Sequence, residues 1–201
     1  EPNDAYTIDP LGSVSIISVE DNYSVVNLDF SPFAPQQAAL MAKGLRIFGP
    51  TANPDFARNI EPEYVTVSDD SKTAWVTLQE NNAIAKINLT SKSITAIFPL
   101  GFKNYNLDMN AIDVSDQDNA IALKKWPAFG MYQPDGISVI ETGGVPYLFT
   151  ANEGDAREYT GFTEMRRVSS NATVLDPAIF PNAATLKLPA QMGRLNHTIT
   201  L

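Results

Sequence analysis

Carboxylates recur at matching places along this chain. Glu80 stands in the run Gln79-Glu-Asn-Asn82, and Glu153 and Asp155 stand in Asn152-Glu-Gly-Asp155. Glu61, Glu63 and Asp135 open the segments that lead into those two turns. Oxygen-only ligands suit a hard cation such as Ca²⁺. Grouped carboxylates also repel one another unless a cation or an arginine offsets them. Glu80 and Glu153 are therefore the preferred Ca²⁺ ligands, and Arg157 is the competing neutraliser of Glu153 or Asp155. Ordinary turn chemistry accounts for the Asn and Gly of these runs through backbone geometry, but it does not call for the glutamates.

A second acidic group, Asp108, Asp113, Asp116 and Asp118, falls within eleven residues. Asp116 and Asp118 have the one-apart spacing common in calcium loops, yet the glycine and distal glutamate of an EF-hand are missing. A solvated acidic loop is the default reading. His197 is the only histidine and there is no cysteine. Zinc–sulfur sites, disulfides and thiolate chemistry are thereby excluded, and a Gly-x-Ser-x-Gly elbow that could partner His197 is also absent. A net charge of −9 opposes nucleic acid and anionic membrane. No run approaches the ~18 apolar residues of a membrane span. The start, Glu1-Pro-Asn-Asp4, is polar and shows no signal peptide, which fits a processed or trimmed secreted chain as well as a cytosolic one. Four sequons, at Asn22, Asn88, Asn171 and Asn196, favour a secreted eukaryotic glycoprotein.

The elements that must hold these residues read as strands. Glu63–Ser68, Thr73–Leu78, Ala83–Asn88 and Ser93–Phe98 are β-rich runs joined by short polar turns. They make a four-stranded meander, the unit of a β-propeller blade, with both faces apolar and in need of neighbours. Ser13–Val19 and Ser24–Phe30 predict a hairpin resembling the outer half of a blade. Pro35–Lys43, followed by Gly44, predicts one short helical insert. Leu45–Phe48 reads as a short strand, Ile121–Trp126 as a strand or short turn, and Glu164–Val168 and Asp176–Phe180 as single helical turns. Thr198–Leu201 reads as extended. The runs around Pro62 and Glu80 repeat around Pro134 and Glu153, 72 and 73 residues on. Trp75, Trp126, Tyr132 and Tyr147 read as blade packing rather than a sugar platform. The fold class is thus all-β and propeller-like. One partial domain spans 1–201, with blade portions at about 13–30, 61–100 and 133–201.

The runs Glu61-Pro-Glu-Tyr-Val, Thr77-Leu-Gln-Glu-Asn-Asn-Ala83, Gly130-Met-Tyr-Gln-Pro-Asp135 and Thr150-Ala-Asn-Glu-Gly-Asp-Ala-Arg157 resemble the choice-of-anchor I family. That family includes the mesenchyme-specific cell-surface glycoproteins of echinoderm skeletons and mollusc shells, with secreted bacterial relatives. The resemblance implies an extracellular, seven-bladed propeller-like domain more than twice this length. It also implies association with calcium-rich mineral or matrix in the animal members. The chain departs from the family in extent, because about three blades cannot close a ring. Remaining blades or a partner chain are the expected partners, alongside matrix or mineral components. The resulting functional reading is a non-enzymatic, calcium-associated extracellular matrix or cell-surface glycoprotein linked to biomineralisation. The alternative is a metal-dependent phosphoester hydrolase of the phosphatase or phytase-like propeller kind, a reading suggested by the names of some bacterial relatives.

Overall fold

The computed structural model describes residues 1–51 and 54–200. It is all-β, with antiparallel strands and few helices. In chain order the strands are β1 Ser13–Ser18, β2 Ser24–Asp29, β3 Pro62–Val67, β4 Thr73–Leu78, β5 Ala83–Asn88, β6 Ser93–Pro99, β7 Lys103–Asn104, β8 Phe129–Gly130, β9 Pro134–Thr142, β10 Val145–Asn152, β11 Glu158–Tyr159, β12 Phe162–Thr163, β13 Met165–Arg167 and β14 Asn196–Thr198. The α-helical turns are α1 Gln37–Met41, α2 Phe56–Asn59 and α3 Ala183–Leu186. Two compact units form: Glu1–Phe102 with Met131–Phe162, and Lys103–Gly130 with Thr163–Leu201.

The first unit is built on the sheet β3-β4-β5-β6, the four-stranded one among the described residues. Its three hairpin turns each place one residue at positive φ: Ser71 at 57°, Asn82 at 55° and Lys92 at 49°. The left-handed region closes such turns with the twist that antiparallel strands need. Asp70 Oδ1 reinforces the first turn by accepting from the Ser68 hydroxyl and the Lys72 amide.

Both faces of this sheet are apolar because both are covered. On one face Ala74, Val76, Leu78, Ala85 and Ile87 pack with Val14, Ile16 and Leu28 of the β1–β2 hairpin and with Phe33 and Leu40 of the helical insert. On the other, Trp75 and Ile84 pack against Ile137, Val139 and Leu148 of the β9–β10 hairpin. Cover is incomplete at β3. Val65 and Val67 stand opposite Val76 and Ala74 in the ladder, yet remain 54% and 43% exposed.

Several expectations are corrected. The helical insert begins earlier than Pro35, as a 3₁₀ turn over Ser31–Gln36 that runs into α1, because Pro32 sits in its first turn. Leu45–Phe48 is not a strand. Its backbone groups bond to asparagine side chains instead: Asn81 Nδ2 donates to the Arg46 carbonyl, Asn59 Nδ2 to the Phe48 carbonyl, and the Phe48 amide donates to Asn59 Oδ1. A turn of helix at Phe56–Asn59 was not foreseen, although Asp55 caps it by accepting from the Arg58 amide at 3.0 Å.

In the second unit, Glu164–Val168 is not a helical turn but contains strand β13, which pairs with β14 through Arg166 opposite His197. A distant segment supplies its hydrogen bonds, which local propensity cannot reveal. Ile121–Trp126 contributes a lone bridge, Lys124 with Ile112. Asp176–Phe180 does form a single turn, with the Phe180 amide donating to the Asp176 carbonyl. Of Thr198–Leu201, β14 takes in Thr198 and Leu201 lies outside the described residues. Trp126, Val168, Leu186 and Met192 form this unit's core, with Trp126 Nε1 donating to the Ile112 carbonyl. Asn22, Asn88, Asn171 and Asn196 are all exposed.

Candidate functional site

The expected acidic residues gather where β3 begins, β4 ends and β9 begins. The Pro62–Leu78 pairing sets Glu61 and Glu63 beside the Gln79–Asn82 turn that carries Glu80. Each carboxyl there registers its neighbours. Glu63 is largely exposed, yet partial burial, followed by the charges of Glu80, Glu1 and Asp135, pushes it up to about 6. Glu61 is pushed up to about 7, chiefly by burial, against the pull of Arg157 and with a further push from Glu80. Burial also raises Glu80, against a hydrogen bond from its own backbone amide and the charge of Arg157, with Glu1 and Asp155 adding to the rise. Glu61, Glu63, Glu80, Asp135 and Asp155 therefore share one electrostatic neighbourhood.

Two asparagines build the turn beneath it. Asn81 Oδ1 accepts from the Glu61 amide, while its Nδ2 donates to the carbonyls of Arg46 and Asn59. Asn82 Oδ1 accepts from the amides of Tyr132 and Gln133, and its Nδ2 donates to the carbonyls of Gly101 and Gly44. Both side chains are fully buried. A primary amide is the short group with two donors and a two-lone-pair acceptor, so Asn81 ties two backbone segments to the turn and Asn82 ties three. Gln133 in turn donates from Nε2 to the Asp155 carbonyl, which draws the segment after β10 to the same place.

Arg157 is buried at 1% exposure and is the largest fully buried side chain. Its Nη2 lies 2.8 Å from Glu61 Oε1, in a close ion pair without hydrogen-bond alignment on either Glu61 oxygen. Its N–H groups donate to the carbonyls of Phe48 at 2.9 Å and Asn59 at 2.7 Å. The guanidinium also lies over the Phe48 ring, 4.4 Å from its centroid, and that of Arg46 approaches the same ring at 3.9 Å. Arg157 thus neutralises Glu61, and not the expected Glu153 or Asp155. Glu80 is 8% exposed, and its Oε2 is buried with no hydrogen-bond donor among the described residues.

Glu153 is exposed, and its amide donates to the Gln133 carbonyl. The second acidic group serves turns and surface pairs. Asp116 takes a two-pronged grip from Arg194, at 2.8 and 3.1 Å. Asp118 accepts from the Ala120 amide, Asp113 from those of Ser115 and Ala122, and Asp108 pairs with Lys125. Among the described residues no three His, Cys, Asp or Glu side chains stand close enough to hold a metal ion together. Sequence reasoning missed Asn81, Asn82, Asn59 and Arg46. The one signal is the Asn-Asn pair directly after Glu80, which turn chemistry explains equally well.

A family model described as Choice-of-anchor I domain matches residues 1–200. No curated protein and no solved structure matches the chain.

Proposed function

The chain belongs to the choice-of-anchor I family, and from that premise we propose a cell-surface or extracellular binding module whose acidic corner takes up Ca²⁺. Membership makes it a cell-surface or extracellular protein. No helix among the described residues is long and apolar enough to cross a membrane.

Glu80 carries the cation reading. Its buried Oε2 lacks a donor, and its carboxyl is raised by burial in company with Asp155 and, through Glu63 and Glu61, further negative charge. A buried carboxylate oxygen without a donor is costly, and a hard cation bound to it offsets that cost, while the Glu80 backbone amide serves the same carboxyl. Glu1 and Asp155, whose charges act on Glu80, and Glu63, which feels the charges of Glu80 and Asp135, are the assisting groups, while Glu61 is engaged by Arg157. That engagement also weighs against phosphoester hydrolysis, since the guanidinium faces the core and not a substrate.

The propeller reading rests on the meander covered by a hairpin on each face. Val65 and Val67, bare on β3, and the free edges of β1 and β10 suit further strands from the same polypeptide or a partner chain. Exposure of all four sequon asparagines favours a glycoprotein. Association with calcium-rich mineral rests on family resemblance alone.

Calorimetric titration of the complete polypeptide with Ca²⁺ tests the reading. Binding heat should be lost or sharply reduced in Glu80→Gln and retained in Asp116→Asn, whose carboxylate is already held by Arg194. Equal heats in wild type and Glu80→Gln would remove the acidic corner as the site.

A further inference from the structure

The first unit makes one packing step and leaves both halves of a second one open. Residues of β3 recur 72 positions on in β9: Val65 corresponds to Ile137, Thr66 to Ser138 and Val67 to Val139. In the two ladders Trp75 stands opposite Thr66, and Phe149 stands opposite Ser138. Directly opposed residues of antiparallel strands share a face. Phe149 therefore holds in the second hairpin the place that Trp75 holds in the first. Each hairpin has an aliphatic face and an aromatic face.

The two hairpins stack through unlike faces. Ile137 and Val139, on the aliphatic face of β9, pack with Leu148 against Trp75 and Ile84 on the aromatic face of the four-stranded sheet. The strand that makes this contact is β9, which lies along β3 and β4. Its counterpart in the repeat is β3, and there the equivalent Val65 and Val67 are bare. The matching receptor surface is bare as well. Ile140, Val145, Tyr147 and Phe149, on the aromatic face of the second hairpin, are 49–58% exposed, whereas Trp75 is 5% exposed beneath β9. Ser138 and Thr142 complete that face, so it carries no charge.

We propose that copies of this chain associate head to tail, with Val65 and Val67 of one copy seated on Ile140, Tyr147 and Phe149 of the next. The contact repeats between molecules the one that Ile137 and Val139 make on Trp75 within the chain. A second copy is the partner because it carries the matching aliphatic strand uncovered. Two different patches meet, so the contact is heterologous: it gives a ring where the rotation closes and a filament where it does not. Each copy has a net charge of −9, and uncharged patches let two of them approach with least repulsion. The inference rests on the reading that a partner chain covers β3, and it is separate from the cation reading, since neither patch includes a carboxylate.

Sedimentation velocity of the whole chain, over a wide concentration range and with salt enough to screen the net charge, provides the test. The mass of the wild type should rise with concentration. Phe149→Glu removes one patch and Val67→Glu the other, because each would bury a lone carboxylate in an apolar contact; either should weaken self-association at least about tenfold. Mixed together, the two variants retain one intact contact and should form a 1:1 dimer that grows no further. Phe149→Ser and Val67→Thr, which keep small strand-compatible side chains, should show the same pattern with a smaller loss and so guard against misfolding of the Glu variants. A wild type that stays monomeric overturns the proposal and leaves strands of the same polypeptide as the cover for β3. Self-association of Val67→Glu alone would mean that like faces meet, and a mixture that stays monomeric would mean that the patches do not fit; either result also overturns it.

Discussion

Stability should fall as the solution is made alkaline, and the buried acidic corner sets by how much. Glu61 has a folded pKa of about 7 against an ordinary 4.5. Between those two values the folded protein binds more protons than the unfolded chain. Stability from this group is therefore full below about pH 4.5 and is lost as pH rises through about 7. The gap is about 2.5 units, and at about 1.4 kcal/mol per unit it amounts to about 3 kcal/mol. Glu80 and Glu63 act in the same direction, Glu63 with less weight because solvent screens an exposed carboxylate. Asp4, Asp29, Asp70 and Asp116 are lowered and act the opposite way, but only below 3.8, outside this window. Urea unfolding at about pH 5 and about pH 8 reads the difference directly. Wild type should lose about 3 kcal/mol across that interval, and Glu61→Gln should lose clearly less. Glu61→Gln leaves Arg157 without its ion pair at both pH values, so the slope with pH is the readout and the absolute stability is not. Wild type equally stable at both values, or a slope unchanged in Glu61→Gln, would refute the reasoning.

Asn82→Ala should cost about 4 kcal/mol by urea unfolding, roughly 1 kcal/mol for each of its four hydrogen bonds; a loss under about 1 kcal/mol would mean that water or a neighbour takes over those four groups. Made in a secretory host, the protein should lose mass on enzymatic deglycosylation, with one glycan removed by each of Asn22→Gln, Asn88→Gln, Asn171→Gln and Asn196→Gln. Unchanged mass in all four would withdraw the glycoprotein reading.

Strand positions were legible because their causes are local. Two-residue alternation and turn residues placed β4 and β5 at their observed bounds, and β1, β2, β3 and β6 to within a residue or so. The expectation that Glu61, Glu63, Glu80, Asp135, Glu153 and Asp155 lie together had a related source. A repeated hairpin puts strand starts and turn ends at equivalent places. The family followed from contiguous runs.

What tertiary structure alone decided involves groups whose partners are remote. Leu45–Phe48 has strand composition, yet its backbone bonds to Asn59 and Asn81 instead of a ladder. Glu164–Val168 became part of a sheet because a segment some thirty residues on supplied the facing strand. Arg157 pairs with Glu61, 96 residues away, while Glu153 and Asp155 are its near neighbours in sequence. A long flexible cation settles where burial has left a carboxylate without water. That place is set by how the chain packs, because the low-dielectric interior makes an uncompensated charge costly wherever its partner lies along the chain.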